Sequence, residues 1–434
     1  MIRRLILLAL LLSFQFACTS YNEQDEQRQA FEPGQPDENG MYADSLSLVT
    51  RFLEETIQEN KIPGAVAMIV KDNRVVYQQA LGYSDVEQEL LLEHDHIFRL
   101  ASMTKAITSV GVVMLAERGS LNFDDPVSRY IPEFSNPEVL EFVSFSDSSW
   151  TATPAKREVT VHDLLTHTAG LSYGFIDSTM NVIYKKREIP DGIATDGRTI
   201  AETMHELAGL PLRHEPGSRW TYGLSTDMLG RVIEVVSGQT LDQFFEEEIF
   251  EPLGMSYTRF FLTPAKQEHL VPLYRNTARN SLERVSALSL NNTEDIDTEY
   301  SNEASRSYFS GGAGLQGTAE DYQRFLQMVL NRGELGTVKL FGEQSASVLF
   351  ESQIGDLRVG LDGFSYGFLI TLPDGDLKNL RKPGRMQWGG LYQTLFWIDP
   401  ERNTTVVLLT QVFPSAHQQE IYDGFERKVN SSFK

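Results

Sequence analysis

Cysteine is almost absent from this chain of 434 residues, since Cys18 is the only one. A single cysteine excludes an internal disulfide, so the fold does not rest on disulfide bonds. The apolar share of 41% and the charged share of 23% are those of an ordinary globular protein. A chain of this length can form one large domain or two ordinary ones.

Basic residues are also few. The chain has 38 Lys and Arg against 60 Asp and Glu, which gives a net charge of −22. Phosphate backbones and anionic membrane surfaces repel such an excess of negative charge. The composition therefore predicts that no nucleic acid is a main partner. Most of the carboxylates are interpreted as general surface acidity.

No apolar run in the sequence is long enough to cross a bilayer. The run from Leu5 to Leu12 follows two arginines and has the length of a signal-peptide core, which predicts a signal peptide over residues 1–17. The residues up to Cys18 resemble a bacterial lipoprotein cleavage site, so Cys18 is expected to carry a lipid anchor. Gln15 departs from the aliphatic residue usual in such sites, which leaves secretion without a lipid open. The protein is expected to be exported, periplasmic or cell-envelope, and membrane-anchored if Cys18 is acylated.

Residues 18–41 are rich in Glu, Gln, Asp and Pro and contain little to bury, so they are predicted to form a flexible tether. The eight histidines show no metal spacing. His94 and His96 form the nearest pair, but no third ligand is evident nearby. The sequence predicts neither a metal nor an organic cofactor. His167 is interpreted as a hydrogen-bonded structural histidine.

Strand patterns lie at both ends of the remaining chain, and helical patterns lie between them. Strands are predicted at 65–70, 74–78, 366–372, 393–398 and 405–411, and helices at 42–60, 163–168, 201–210, 225–237, 241–249 and 418–429. This order predicts an α/β (α+β) fold in which an antiparallel β-sheet is flanked by helices. Residues 42–110 and 336–434 are expected to form one discontinuous α/β domain and residues 111–335 a mainly helical insert, with the active site between the two. The loops at 175–200 and 276–307 are expected to form the walls of the cleft.

Ser102 and Lys105 lie three residues apart where a helical pattern begins. Apolar residues recur behind them at helical spacing, and Gly119 provides a stop signal. A helix would therefore place the lysine one turn after the serine on the same side. A nucleophile, an amine and the N–H groups of a first helical turn are suited to acyl transfer.

Two further stretches carry candidate site residues. Pro216-Gly217 sets a turn before Trp220, and Tyr222 follows on a loop that leads into a helix. Trp388-Gly389-Gly390-Leu391 precedes a predicted strand, and glycines beside a strand edge allow a substrate to approach the backbone.

With these motifs the chain resembles the serine β-lactamase-like hydrolases over about residues 42–430. That family includes class C β-lactamases, D-amino-acid peptidases and family VIII esterases. The resemblance rests on the motifs Ser102-Met103-Thr104-Lys105, Leu164-Leu165-Thr166-His167-Thr168-Ala169-Gly170-Leu171, Pro252-Leu253-Gly254-Met255 and Ser310-Gly311-Gly312-Ala313-Gly314-Leu315.

The resemblance implies a role for each matching residue. Ser102 corresponds to the acylated nucleophile, Lys105 to the lysine that shares its protons, and Tyr222 to the tyrosine of the Y-x-N motif, thought to be the general base. The N–H groups of Ser102 and Leu391 correspond to the oxyanion hole. Free lysine and tyrosine have pKa values of about 10.4 and 10, so both must be perturbed to act near neutrality, and two coupled groups titrate as a unit.

Two departures from the family pattern concern the substrate. Leu224 replaces the asparagine of Y-x-N, and Trp388 replaces the lysine or histidine that begins the corresponding motif in many relatives. Loss of the cation disfavours substrates with a carboxylate. The resemblance therefore implies a carboxylesterase acting on small neutral esters, as in the family VIII esterases. A D-amino-acid peptidase, a β-lactamase and a non-catalytic penicillin-binding or sensor module stay open, as does the oligomeric state.

Residues Gly170 to Gly174 also match the G-x-S-x-G pattern of α/β-hydrolases, with Ser172 at the nucleophile position. That pattern requires a strand before the serine and a helix directly after it. Here a helix is predicted before Ser172 and a loop after it, so Ser102 is the favoured nucleophile.

Overall fold

The computed structural model describes residues 31–277, 281–288, 296–298, 307–375 and 380–434. The predicted signal peptide at 1–17 and the predicted acylation site Cys18 lie outside these residues and stay predictions. The chain divides after Glu32, and residues from Pro33 to Lys434 form one compact unit. No helix in the described ranges combines the length and apolarity needed to span a membrane.

The strands of the compact unit are mostly short and are numbered in chain order. They are β1 Gly64–Lys71, β2 Arg74–Asp85, β3 Leu90–Leu91, β4 Phe98–Arg99, β5 Glu138–Val143, β6 Trp150–Pro154, β7 Tyr274–Asn276, β8 Leu282–Arg284, β9 Ala287–Leu288, β10 Ile296–Asp297, β11 Gln316–Gly317, β12 Glu334–Leu335, β13 Val338–Lys339, β14 Gly363–Phe364, β15 Leu369–Ile370, β16 Met386–Gly390, β17 Thr394–Asp399 and β18 Thr404–Leu409.

The α-helices are concentrated between the two groups of sheet strands. They are α1 Ala43–Gln58, α2 Thr104–Glu117, α3 Val161–Leu165, α4 Ser178–Lys186, α5 Ile200–Ala208, α6 Ser225–Ser237, α7 Leu241–Phe245, α8 Glu251–Leu253, α9 Pro264–Gln267, α10 Ala319–Leu330, α11 Glu343–Phe350 and α12 Gln418–Asn430. This arrangement confirms the predicted mixed fold with a large antiparallel sheet and flanking helices. The division at 111 and 335 stays a prediction.

The main sheet joins the two ends of the chain. Its strands lie in the order β2-β1-β18-β17-β16-β15-β14, and each neighbouring pair is antiparallel. Side chains alternate between its faces: Ala67 and Ile69 of β1 pack with α1 and α12, whereas Val66 faces the larger core, which also contains α2 and α10. Helices therefore cover both faces.

Residues 33–41 are part of this compact unit, although the composition assigned them to the tether. The Gly34 N–H donates to the Val75 carbonyl at 2.8 Å, and Met41 is fully buried. The apolar Met41 side chain, close to α1, explains why the packed part begins before residue 42.

Three local predictions differ from the structure. The predicted strand 366–372 is wrong in extent: it contains only β15, because Gly367, with a φ of 92°, lies in the turn that joins β14 to β15. The predicted helix 241–249 is α7 followed by a π-helix at Glu246–Phe250. The β5–β6 hairpin has no predicted counterpart, because its mostly exposed residues do not alternate clearly between apolar and polar.

Candidate active site

Ser102 lies in a tight turn between β4 and α2. The turn is a 3-10 helix over Ala101–Met103 that continues directly into α2 at Thr104, so Ser102 lies at the N-terminal end of the helix, as expected. Ala101 has a φ of 45°, which is a strained conformation for a residue with a side chain. The turn is held on both sides, because the Leu100 N–H donates to the Leu315 carbonyl and the Leu315 N–H donates to Thr104 Oγ1. The nucleophile candidate therefore has a fixed position.

The Lys105 ammonium lies directly behind Ser102. Its side chain is buried, with 2% of its surface exposed. Nζ donates to Ser102 Oγ at 3.3 Å, to the Tyr173 hydroxyl at 2.9 Å and to the Gly312 carbonyl at 2.7 Å. An ammonium group has three protons, so these three acceptors hold it in one place.

Tyr222 reaches the same oxygen from the loop before α6. Its hydroxyl donates to Ser102 Oγ at 2.7 Å, and the Lys105 ammonium lies 4.7 Å from its ring centroid. Gly223 permits this approach, because a side chain there would lie 2.4 Å from the Ser172 backbone. The structure thus brings together Ser102, Lys105 and Tyr222, although the serine and the tyrosine are 120 positions apart in sequence.

The Trp388-Gly389-Gly390 segment is the end of β16, beside the serine turn. A side chain on Gly390 would lie 2.3 Å from the Leu100 carbonyl, so the strand can pass the turn closely only with glycine there. Leu391 follows, and the turn closes with the Gln393 N–H donating to the Gly390 carbonyl at 3.2 Å. Leu391 therefore lies at the same opening as Ser102.

These residues line one cavity of about 330 Å³, which we call the serine cavity. Its walls are mainly aromatic and apolar, and they are formed by Ala101, Ser102, Tyr173, Phe175, Asp191, Ile193, Tyr222, Ala313, Trp388, Gly389, Gly390, Leu391, Tyr392, Gln418 and Tyr422. Among these residues there is no lysine or arginine. As expected, the loop at 175–200 supplies part of the wall; the loop at 276–307 is described only in part.

A larger cavity of about 510 Å³ adjoins the serine cavity, with Trp388, Gly389 and Tyr422 lining both. Four of its charged side chains form two ion pairs. Arg381 pairs with Asp362 at 2.7 Å, and Arg385 pairs with Glu426. Its lining residues include no counterpart of Ser102 and Lys105, so the serine cavity is the candidate active site.

Two residues of the lysine's environment were missed at the sequence level. Tyr173 accepts one of the three Lys105 hydrogen bonds, and burial raises its pKa, so its hydroxyl stays protonated. Asp227 is fully buried in α6; its Oδ1 accepts from Ser310 Oγ at 2.5 Å and from the Gly312 N–H at 3.3 Å. Burial raises the Asp227 pKa, and the nearby Lys105 charge opposes that shift. Asp227 is therefore a buried acidic group held by Ser310 and Gly312, close enough to Lys105 for the lysine charge to act on it.

The fold explains why a leucine occupies position 224. Leu224 is the residue before α6, and its side chain is fully buried in the main core. It cannot supply the amide that the family's asparagine places near the lysine. The Tyr173 hydroxyl provides a polar contact to Lys105 instead.

Ser172 lies outside the serine cavity. Its side chain is 1% exposed, and Oγ donates to the Tyr173 carbonyl at 3.3 Å. Helix α3 ends at Leu165 before it, and a loop leads to α4 after it, so the strand–turn–helix geometry of a nucleophile elbow is absent at this serine.

His167 is buried among aromatic side chains, and within the described residues its predicted hydrogen bonding is not found at Nδ1. Nδ1 is buried and has no hydrogen-bond partner within the described part of the chain. The ring packs against Trp220, Tyr222 and Phe364 at centroid distances of 6.0, 5.2 and 5.6 Å. Burial, with a smaller effect of the Lys105 charge, lowers the His167 pKa to about 3. The imidazole is therefore neutral beside the lysine.

His167→Leu is expected to make the protein less sensitive to acid. In the folded state His167 binds a proton only near pH 3, whereas an unfolded histidine binds one near pH 6.5. The contribution of neutral His167 to the unfolding free energy is therefore fully present above pH 6.5 and is lost as the pH falls below that value. Between pH 7.5 and 5 the wild type should lose about 2 kcal/mol more of its unfolding free energy than the variant. Urea unfolding at both pH values measures this. The exposed His94→Gln serves as control and should lose as much as the wild type; an equal loss in His167→Leu would contradict the assignment.

His94 and His96 are the histidines with the nearest spacing in the sequence. His96 Nδ1 accepts from the Glu93 N–H at 2.9 Å, and no group of three or more His, Cys, Asp or Glu side chains with metal-site geometry occurs among the residues described.

Comparisons with known proteins identify the family of the chain. The sequence model of the family described as Beta-lactamase matches residues 49–429. Esterase EstB of Burkholderia gladioli is 31% identical over 381 residues, which cover 85% of this chain and 91% of that protein. The solved structure of EstCE1, a hydrolase with promiscuous acyltransferase activity, is 27% identical with a TM-score of 0.75 and covers 89% of this chain and 98% of that one.

A more distant solved structure extends the likeness of fold. Unliganded simvastatin synthase (LovD) of Aspergillus terreus has a TM-score of 0.74 at 24% identity, over 90% of this chain and 98% of that chain. The class defined by sheet, helices and site is the serine hydrolases with the β-lactamase fold. The chain belongs to the Beta-lactamase family.

Proposed function

We propose that the protein is a carboxylesterase that hydrolyses small neutral esters through an acyl-enzyme at Ser102. The observation that carries the proposal is the contact of Tyr222 and Lys105 with Ser102 Oγ at 2.7 and 3.3 Å, at the edge of an apolar cavity. Similarity to EstB, an esterase, and to EstCE1, a hydrolase, supports it.

The acylation step uses the hydroxyl network. A free serine hydroxyl is a poor nucleophile, so a base must accept its proton as it attacks the ester carbonyl carbon. In the reactive protonation state Tyr222 accepts this proton, and the Lys105 ammonium, 4.7 Å from the Tyr222 ring, stabilises the phenolate. Because both groups contact Ser102, they act as a coupled pair. Tyr222 then returns the proton to the leaving alkoxide.

The tetrahedral intermediate carries its charge on the former carbonyl oxygen. The N–H groups of Ser102 and Leu391 are the proposed donors to it, since both residues line the opening where the ester binds. Each such donor contributes about 10²–10³-fold to the rate. Water then attacks the carbonyl carbon of the acyl-enzyme while Tyr222 accepts a proton from it. Tyr222 returns this proton to the Ser102 oxygen as the bond to the acyl group breaks, which releases the acid and restores Ser102.

The proposed preference for neutral esters follows from the residues that line the serine cavity. Trp388 packs on Tyr222 at a centroid distance of 5.4 Å, where many relatives present a cation. Without a lysine or arginine among the lining residues, a substrate carboxylate loses its ion pair when it leaves water.

A substrate panel tests the proposal. On one enzyme sample, kcat/KM for p-nitrophenyl butyrate is expected to exceed that for nitrocefin by at least about 100-fold, because a lost charge-assisted hydrogen bond costs about 3 kcal/mol. D-alanyl amides should be turned over more slowly than the ester as well. Ser102→Ala is the background control. A nitrocefin turnover comparable to that of the ester would contradict the proposal.

A further inference from the structure

One carboxylate stands in the otherwise apolar and aromatic wall of the serine cavity. Asp191 belongs to the irregular segment between α4 and α5, and it is the only acidic residue among those that line the cavity. The charge on this wall is therefore opposite in sign to the one a carboxylate-binding enzyme needs.

Asp191 is held in a fixed position by the opposite loop. Its Oδ1 accepts from the Gly174 N–H at 2.6 Å, and its Oδ2 accepts from the Phe175 N–H at 3.0 Å. Asn181 Nδ2 in turn donates to the Gly174 carbonyl at 3.0 Å. The donors to the carboxylate are neutral amides, so they fix its position without cancelling its charge.

The electrostatic surroundings leave this carboxylate easy to protonate. Burial raises the Asp191 pKa to about 6; the two backbone N–H groups oppose the shift, Asp227 adds to it and Lys185 lowers it. Three buried tyrosines, Tyr173, Tyr184 and Tyr308, also interact with the Asp191 charge, and burial raises the pKa of each. Asp191 is thus mainly ionised at pH 8 and mainly neutral at pH 5.

We propose that Asp191 is a specificity-determining residue that excludes negatively charged esters from the serine cavity and admits neutral and cationic ones. The inference rests on the proposed esterase function and deepens it by assigning the charge of the substrate class. An anionic substrate would share a small, poorly solvated space with the carboxylate, where screening by salt is weak. A cationic group on the substrate would gain a partner.

The alternative role is purely structural, as a staple for the loop that carries Tyr173 and Phe175. A staple affects every substrate equally, whereas a charge filter changes the ratio between substrates of different charge. The test therefore uses ratios of kcat/KM, from which a general loss of active enzyme cancels.

The experiment compares wild type with Asp191→Asn at pH 8. Three acetate esters share a leaving-group scaffold: anionic 4-acetoxybenzenesulfonate, neutral 4-acetoxybenzenesulfonamide and cationic 4-acetoxyphenyl-trimethylammonium. The p-nitrophenyl esters of adipic acid and its monoamide place the charge on the acyl side instead. In at least one of the two series, kcat/KM for the anionic ester relative to the neutral ester should rise about tenfold in Asp191→Asn. In the leaving-group series, kcat/KM for the cationic ester relative to the neutral ester should not rise. Asp177→Asn is the matched control, since that carboxylate also binds backbone N–H groups but does not line the cavity.

A second measurement needs no variant. In the wild type, the sulfonate-to-sulfonamide ratio should rise severalfold from pH 8 to pH 5, because the sulfonate stays charged while Asp191 is protonated. If neutral esters are turned over but the ratios are unchanged, both in Asp191→Asn and across pH, the filter is refuted and the esterase proposal stands. If the wild type shows no Ser102-dependent turnover of neutral esters, the proposed esterase function is refuted, and the proposed role of Asp191 is refuted as well.

Discussion

Ser102→Ala is expected to reduce kcat/KM for p-nitrophenyl butyrate by at least about 10⁴-fold, to the level of the uncatalysed reaction with bound ester. The variant loses the only side-chain oxygen that contacts both Tyr222 and Lys105 within the described ranges. The substitution removes one small, half-buried hydroxyl, so the unfolding temperature should change little. Steady-state kinetics and thermal unfolding on the same sample separate lost chemistry from lost structure.

Ser172→Ala is the matched control for this experiment. Its hydroxyl is buried and donates only to the neighbouring Tyr173 carbonyl, so its loss should leave kcat/KM within about threefold and cost about 1 kcal/mol of stability. The reverse pattern, with Ser172→Ala inactive and Ser102→Ala active, would refute the assignment of the nucleophile.

Tyr222→Phe is expected to lower kcat by about 10³-fold with little change in KM, because proton transfer by a positioned group contributes about 10²–10⁴-fold. The ring packing against Trp220 and Trp388 is retained, so only the hydroxyl at 2.7 Å from Ser102 Oγ is lost. Lys105→Met should cause a loss of similar size, since it removes the charge beside the Tyr222 ring.

The two substitutions together should cost far less than the product of their separate effects, because the groups act as one unit. Tyr184→Phe is the control: that tyrosine is also buried, and its hydroxyl accepts from the Ser172 N–H at 3.4 Å, away from the serine cavity. Full activity in Tyr222→Phe, or strictly multiplicative losses, would contradict the coupled pair.

The sequence predicted the parts of the site that lie in short motifs. Ser102 and Lys105 share one turn of chain, so local spacing places them together. Tyr222 and the glycines of β16 follow from family motifs, while their convergence on Ser102 is a property of the tertiary fold.

The missed residues have no such local signal. Tyr173 lies inside the G-x-S-x-G match that drew attention to Ser172, and it reaches Lys105 only because Gly223 lets the two loops pack backbone to backbone. Asp227 and Asp191 are acidic residues in a chain with many of them, and only their burial distinguishes them. Burial depends on the whole fold and is not readable from spacing.

The strands of the main sheet were predicted correctly where the apolar pattern is long. They were predicted less well where backbone conformation determines where a strand begins and ends. β1 and β18 are almost completely buried strands in the interior of the sheet, and both were recognised. The segment around Gly367 has the residue types of a strand, but its left-handed glycine lies in the turn between the paired strands β14 and β15.

The most direct test of the account is the mass of the acylated enzyme after rapid acid quenching with p-nitrophenyl butyrate. Trypsin separates the two serines, because Ser102 falls in the peptide from Leu100 to Lys105 and Ser172 in the peptide from Glu158 to Lys185. We expect one butyryl group per chain on Ser102 in the wild type and no butyryl group in Ser102→Ala. A butyryl group on the peptide that contains Ser172, or turnover without any acylated peptide, would contradict it.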